Sequence, residues 1–360
     1  MRRRTFLQAG AGVAGAALTA GCLGVFETQA AGIPPIPENR PDGVYIPSHE
    51  EGMGMPGMGM AGDYKFGLMY SFAHRFWNVN GDTVEKTGVE SSGADAVHLM
   101  ASVWDPETKL ALPETGLSVD ITKDGDPVGQ QEVIYPMLSQ VMGFHYGANF
   151  EFDGDGVYEV EVSVGGMSTR RTGAFQGRFA DPASATIEFD YSRQRKDNLS
   201  FQIRDDAGEP GALEANTMMM EADSTAPAVE DLPGRVVGEG NSNDAVLVAT
   251  VLDAPPEGID EDGAYLAVSA RTPYNRLVVP AMGLTATVGG GGDPTFDGDL
   301  VRTFDPELGY HYGATVDGVD AGDEVTLSVT TQPQTARHEG YETAFGGLMG
   351  GMPDVTFTAQ

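Results

Sequence analysis

HLMASVWDPETKLALPETGLSVDI, His98–Ile121, and YLAVSARTPYNRLVVPAMGLTATV, Tyr265–Val288, align without a gap at an offset of 265 − 98 = 167. Leu99 meets Leu266, Ser102 meets Ser269, Lys109 meets Arg276, Pro113 meets Pro280, and Gly116-Leu117 meets Gly283-Leu284. Further on, GFHYGA from Gly143 meets GYHYGA from Gly309, EVEVSV from Glu159 meets EVTLSV from Glu324, and the triplet at Ile187 meets that at Val355. Order and spacing are kept throughout, so the chain carries two copies of one unit, read as side-by-side domains.

The unit is made of strands. In Val157–Val164, Tyr158, Val160, Val162 and Val164 fall on one face and Glu159, Glu161 and Ser163 on the other, the pattern of a half-buried antiparallel strand. Further short strand-like runs are Phe66–Phe72, Val97–Val103, Leu117–Ile121, Glu132–Met137, Tyr146–Phe150 and Thr186–Tyr191. Seven such strands in the first copy predict an immunoglobulin-like sandwich. The expected fold is all-β: two immunoglobulin-like β-sandwich domains in tandem, residues 63–192 and 244–360. The Gly- and Pro-bearing segment 193–243, with Met218, Met219 and Met220, reads as a linker. Residues 22–62, rich in Gly, Pro, Met and acids, read as a flexible N-terminal tether, with ordered structure beginning near Tyr64.

Residues 1–21 read as an export signal. Arg3 and Arg4 before Thr5, Phe6 and Leu7 match a twin-arginine pattern, and the mild apolar stretch Ala9–Ala20 is too short to span a bilayer. Thr19-Ala20-Gly21 before Cys22, the only cysteine, forms a lipobox. Lipidation of Cys22 with two acyl chains would anchor the chain firmly on the outer face of the cell membrane; the plain reading is a cleaved signal beside an incidental cysteine. With that thiol committed to lipid, none remains for a disulfide, a nucleophile or a thiolate ligand.

Lys and Arg number 21 against 53 Asp and Glu, giving a net charge of −32. Such a surface repels nucleic acid and anionic membranes. It is tolerated where salt screens it, about 3 Å being the Debye length at 1 M, which points to a halophile; an acidic cation-binding surface is the other reading. Disorder does not fit a chain that is 41% hydrophobic and patterned in strands.

Six histidines are available, His49, His74, His98, His145, His311 and His338. Imidazole with thioether suits copper, thioether favouring Cu(I), and neutral imidazole is the binding form, so affinity is expected to fall as pH drops through about 6. Strand alternation puts His98 and Met100 on one face, a pair fit either for ligation or for ordinary core packing. For His145 and His311 a second reading stands: His-Tyr-Gly placed before a strand fixes a turn, a role needed in both copies. His74 lies among aromatic residues between Phe72 and Trp77 and reads as a packed histidine before a ligand. Met53, Met55, Met58 and Met60 in GMGMPGMGM, and Met349 and Met352 near the C-terminus, have the spacing of a soft-ion capture motif or of low-complexity drift.

Around HYGAN, His145–Asn149, and HYGA, His311–Ala314, with His98 and Pro136-Met137 in order before the first, the chain resembles the extracytoplasmic iron-uptake proteins encoded beside high-affinity iron permeases. It also looks like haloarchaeal proteins labelled iron transporters. The resemblance implies a sandwich that pairs as dimers, binds copper and serves a membrane iron permease. Carried over, it places ligands at His98, Met137 (or Met142) and His145 in the first copy, with Met100 where that family has a Glu and no late histidine. In the second copy Tyr265 and Thr303 stand at ligand positions, while His311 and a late histidine, His338, are kept. If the copies pack as an intramolecular pseudo-dimer, His338 completes the site begun by His98, Met137 and His145.

No G-x-S-x-G, H-E-x-x-H, P-loop or dinucleotide fingerprint occurs, so the chain does not read as an enzyme. The expectation is a lipid-anchored protein that binds copper or iron and assists iron import. The competing class is a surface adhesion or scaffold module with vestigial histidines.

Overall fold

The computed structural model describes residues 33–360 except 90–91, 129–133, 216–220, 291 and 349. The export signal, Cys22, Met218–Met220 and Met349 therefore lie outside the described residues. Among those described, no helix is long and apolar enough to cross a membrane.

The chain is all-β, as its alternation predicts. The first half contains β1 (His49–Glu51), β2 (Gly54–Ala61), β3 (Tyr64–Phe72), β4 (Phe76–Asn80), β5 (Thr83–Thr87), β6 (Ala96–Trp104), β7 (Ser118–Lys123), β8 (Asp126–Pro127), β9 (Tyr135–Ser139), β10 (Gly143–Glu151), β11 (Gly156–Val164), β12 (Arg170–Arg171) and β13 (Ala183–Tyr191). A short helix, α1 (Arg193–Asp197), and β14 (Phe201–Ile203) lead away from it. The second half contains β15 (Arg235–Ser242), β16 (Ala245–Leu252), β17 (Ala264–Arg271), β18 (Gly283–Gly289), β19 (Phe296–Asp305), β20 (Gly309–Val316), β21 (Glu324–Thr331), β22 (Ala336–His338) and β23 (Val355–Thr358).

A first sheet of order β2-β3-β6-β10-β9-β22-β4-β5 packs on a second of order β13-β11-β7-β8. The core between them takes the inward residues of each strand, Phe66 and Leu68 from β3, Leu99 and Ala101 from β6, Val160 and Val162 from β11. The second half repeats this arrangement in one path, β15-β16-β17-β20-β19-β18-β21-β23. There β19 serves both layers, pairing with β18 up to Leu300 and with β20 from Val301 onward.

Two sequence boundaries are corrected. The tether expected to reach residue 62 stops short, because Gly54–Ala61 is edge strand β2, paired with β3 from Gly57↔Leu68 to Ala61↔Tyr64. The linker expected through residue 243 ends in its counterpart, edge strand β15, paired with β16. Both strands look like low-complexity glycine runs for one steric reason. A Cβ on Gly59 would lie 2.7 Å from the Ala185 Cβ, and one on Gly57 3.1 Å from Ile187, both on β13. Cβ atoms on Gly238 and Gly240 would likewise run into Phe357 and Val355 of β23. The glycines let each edge strand lie directly against the opposite sheet.

The halves are not merely side by side. β22, from the second half, inserts into the first sheet, parallel to β9 (Ala336↔Met137) and antiparallel to β4 (His338↔Phe76). In return β12, from the first half, adds in parallel to β19 (Arg170↔Thr303). Each copy thus lends the other a short strand.

Candidate metal centre

The site lies on the face of the first sheet that points away from the core. Strand period fixes this: Val97, Leu99 and Ala101 enter the core, so His98 and Met100 project the other way. On β10, Phe144, Tyr146 and Ala148 are inward, leaving His145, Gly147 and Asn149 outward. Leu138 of β9 is inward and Met137 outward. In register His145 faces Met137, Asn149 faces His98, and Ala336 of the inserted strand faces Met137, two residues from His338.

Four imidazoles meet there. Ring centroids are 4.0 Å apart for His74 and His98, 4.7 Å for His74 and His338, 5.2 Å for His98 and His338, and 5.1 Å for His145 and His338. Ligand atoms of His74, His98 and His338 all lie within 4.8 Å of one another. The His338 Nε2 is 3.3 Å from the Met137 Sδ. Gly147 is required in this cluster: a Cβ there would lie 2.7 Å from the His98 Nε2 and 2.9 Å from the Met137 Sδ. His-Tyr-Gly does not precede a strand to fix a turn, as one reading had it; it lies within β10. The turn residue is Gly143, at φ 67°, ahead of His145.

Three of the four rings, those of His74, His98 and His145, are held through Nδ1, which leaves their Nε2 atoms free. The His98 Nδ1–H donates to Asn149 Oδ1 at 2.9 Å, and the His145 Nδ1–H to the Gly143 carbonyl at 3.0 Å. His74 sits in the loop before β4 and its Nδ1–H donates to Glu51 Oε2 at 3.1 Å. Asn149 also donates its Nδ2–H to the His74 carbonyl at 2.9 Å and accepts the His74 backbone N–H at 3.3 Å, which ties the loop to β10. The consequence is three buried acceptor nitrogens, Nε2 of His74, His98 and His145, with no hydrogen-bond partner among the described residues. A buried polar atom without a partner is costly, and two of these, on His74 and His98, belong to rings whose ligand atoms lie within 4.8 Å of one another and of His338, an arrangement a metal ion would satisfy.

Electrostatics keep His98, His145 and His338 neutral. Burial, then the nearby His74, hold His98 well below the ordinary histidine value. Burial takes His145 to about 4. Burial, with His74, His145 and His98 adding repulsion, does the same to His338. Burial pushes the Glu51 carboxyl up, but His74 and His49 outweigh it and leave it below the usual carboxylate range. Glu51 is thereby an ionised acceptor for two imidazoles, with His49 Nε2 3.0 Å away on its other oxygen.

His338 is brought in by a clamp one residue along. Glu339 accepts from the Arg75 Nε–H at 2.9 Å and from the Ser48 backbone N–H at 2.7 Å, both buried. Arg75 follows His74, so one ion pair fixes two ligand-bearing segments from opposite halves.

Among the described residues, the corresponding place in the second half holds no such cluster. His311 Nδ1–H donates to the Gly309 carbonyl (3.1 Å) and its Nε2 pairs with the Tyr265 hydroxyl (3.0 Å), so both nitrogens are engaged. His311, expected among the ligands, is corrected on this ground. Thr303 stands where β9 has Met137. The guanidinium of Arg170, on the lent strand β12, donates to Thr303 Oγ1 and Tyr265 Oη at 2.9 Å each and to the Gly313 carbonyl at 3.1 Å. A fixed cation of the chain fills the place that is a donor cluster in the first half.

The remaining expected ligands separate. Met100, Met142 and Met53 line a cleft of about 100 Å³ together with His49, Glu51, His74 and His338. Met55, Met58 and Met60 are exposed on edge strand β2 rather than on a tether. Sequence reasoning ranked His74 as packing and passed over Glu51 and Asn149. Asn149 was legible as the last residue of HYGAN, whereas Glu51 lay in the supposed tether.

Among protein-family models, that of a domain of unknown function (DUF7350) matches residues 230–358. No curated protein matches. No solved structure matches.

Proposed function

We propose that this chain is a copper-binding protein acting outside the cell membrane, tethered through Cys22 and assisting iron import by a membrane permease. The observation that carries the metal reading is the convergence of His74 and His98, each with a buried, unpartnered Nε2, on His338, whose Nε2 lies beside the Met137 sulfur, with His145 packed behind. The donors decide the metal. Imidazoles with a thioether suit copper, and the one nearby carboxylate, Glu51, is taken up by His74 and His49, which argues against the carboxylate-bearing sets that iron favours. The chain's own work is to hold and orient: Asn149, Gly143 and Glu51 lock the rings through Nδ1, as outer partners do at metal sites, and the sheet keeps water from His98 and His145. Bound copper would supply one-electron redox capacity or be cargo for hand-over. Export, anchoring and the permease follow the N-terminal pattern and the resemblance around HYGAN.

The test is metal content and titration. Protein purified without chelators is expected to hold one copper per chain. The His98→Ala and His338→Ala variants are expected to lose affinity by more than the roughly 10–100-fold that removal of an outer partner costs. Unchanged copper affinity in both variants refutes the site, and absence of stoichiometric metal under aerobic and reducing conditions favours an adhesion module. For the partner, deletion of the gene is expected to slow iron uptake at limiting iron, and unchanged uptake removes the iron role.

A further inference from the structure

Methionine is concentrated on the same outward face as the histidines. Met69 of β3 pairs in register with Met100 of β6. Met69, Met100, Met142 and Trp104 form one buried cluster, with Met53 packed against it from the segment before β2. A buried methionine is ordinary core material, and Met69 is used that way. Met53, Met100 and Met142 differ because they line an open cleft. They come from three separate segments and share that cleft with His74 and His338, the two histidines of the cluster that reach it. His98, His145 and Met137 stand behind and are fully buried. The cleft therefore has a thioether wall and leads to the imidazoles.

The edge strand extends the pattern. Gly57 and Gly59 face Ile187 and Ala185 of the opposite sheet, so by alternation Met58 and Met60 lie on the outward face with Met69 and Met100. Met58 and Met60 are exposed.

We propose that Met53, Met100 and Met142 form a second metal site, specific for Cu(I), at the mouth of the histidine cluster. The site deepens the copper reading and rests on it for its role, though not for its existence. Thioethers are soft, uncharged donors that hold Cu(I) and reject hard divalent ions. The carboxylates that also line the cleft are engaged elsewhere, Glu50 with Arg204, Glu51 with His49 and His74, and Glu339 with Arg75, which leaves the thioethers as its open donors. The arrangement receives Cu(I) from solvent at the cleft and sets it beside the free Nε2 of His74.

The experiment titrates the metal-free full-length chain with Ag(I) as a redox-inert probe, with Cu(I) under reductant against a chromophoric chelator, and separately with Cu(II). Met53→Leu/Met100→Leu/Met142→Leu keeps side-chain volume, a class of change that cores tolerate well. His98→Asn/His338→Asn is the companion. Wild type is expected to bind two equivalents of Ag(I), and each variant one. Cu(II) is expected to bind the methionine variant as it does wild type, and to fail with the histidine variant. Trp104, packed in the same cluster, should change fluorescence with Ag(I) in wild type and in the histidine variant but not in the methionine variant. If the triple variant does not fold, Met53→Leu alone, at the cleft mouth, is expected to weaken the second equivalent by more than the roughly 10–100-fold that loss of an outer partner costs. Two Ag(I) equivalents at wild-type affinity in the methionine variants overturn the second site and leave the histidine site standing. Loss of Ag(I) there with unchanged Cu(II) binding by the histidine variant does the reverse.

Discussion

His145 illustrates how a residue is kept ready for a metal. Its Nδ1–H is spent on the Gly143 carbonyl, which fixes the tautomer, and burial takes its pKa to about 4. An unfolded histidine titrates near 6.5. Above about pH 6.5 the ring is neutral in both states and contributes no pH dependence. Between that value and about 4 the unfolded chain binds the extra proton, so stability falls as pH falls. His311, also held at about 4, acts in the same direction, each contributing on the order of 3 kcal/mol of loss once pH is below 4. The urea midpoint of metal-free protein at fixed salt is expected to drop steadily from pH 7 to pH 5, and a flat profile contradicts neutral buried rings. Copper binding should accordingly persist below the pH of about 6 that free imidazole chemistry predicts. His311 itself has no free nitrogen. The His311→Asn variant is expected to leave copper stoichiometry unchanged in titration while lowering the melting temperature, through loss of the buried hydrogen bond to Tyr265.

At the scale of the element, the glycine-rich edge strands carry the main lesson. GMPGMGMA, Gly54–Ala61, has the composition of a linker and the geometry of a strand, because β13 leaves no room for side chains at Gly57 and Gly59. The Gly59→Val variant drives new atoms into the Cβ of Ala185, which no rotamer change can remove. A destabilisation of about 1–3 kcal/mol is expected, the usual cost of overpacking, read as a shift in the denaturant midpoint without loss of bound copper. By contrast β11 was legible at once, since its buried face alternates with an exposed one and writes a period of two into the sequence. The short strands β12 and β22 carry no such period, and nothing local marks Ala336–His338 as a strand of the other half's sheet.

For the molecule as a whole, the exchange of β12 and β22 turns two repeats into one interlocked body. Glu339 is the point where this coupling can be measured. It lies buried against Arg75 of the first half, beside His338. The Glu339→Ala variant leaves a buried guanidinium unpaired, for which about 3–5 kcal/mol of lost stability is expected. It also frees His338 from His74, so copper affinity should fall together with the melting temperature. Unchanged affinity in a folded Glu339→Ala protein shows that β22 alone positions the ligand.

The all-β class, the repeat and most of the strands were legible along the chain, because alternation and self-similarity are local and additive. The sequence also named His98, Met137, His145 and His338 as one potential site, through the resemblance around HYGAN and the missing late histidine of the first copy. Tertiary structure alone decided that His74 and Glu51 belong to that cluster, that Arg170 fills the sister position beside His311, and that the methionines around Met100 share its cleft. Those outcomes depend on which strand enters which sheet. Strand exchange between repeats is set by the summed fit of two whole surfaces, and no window of neighbouring residues records it.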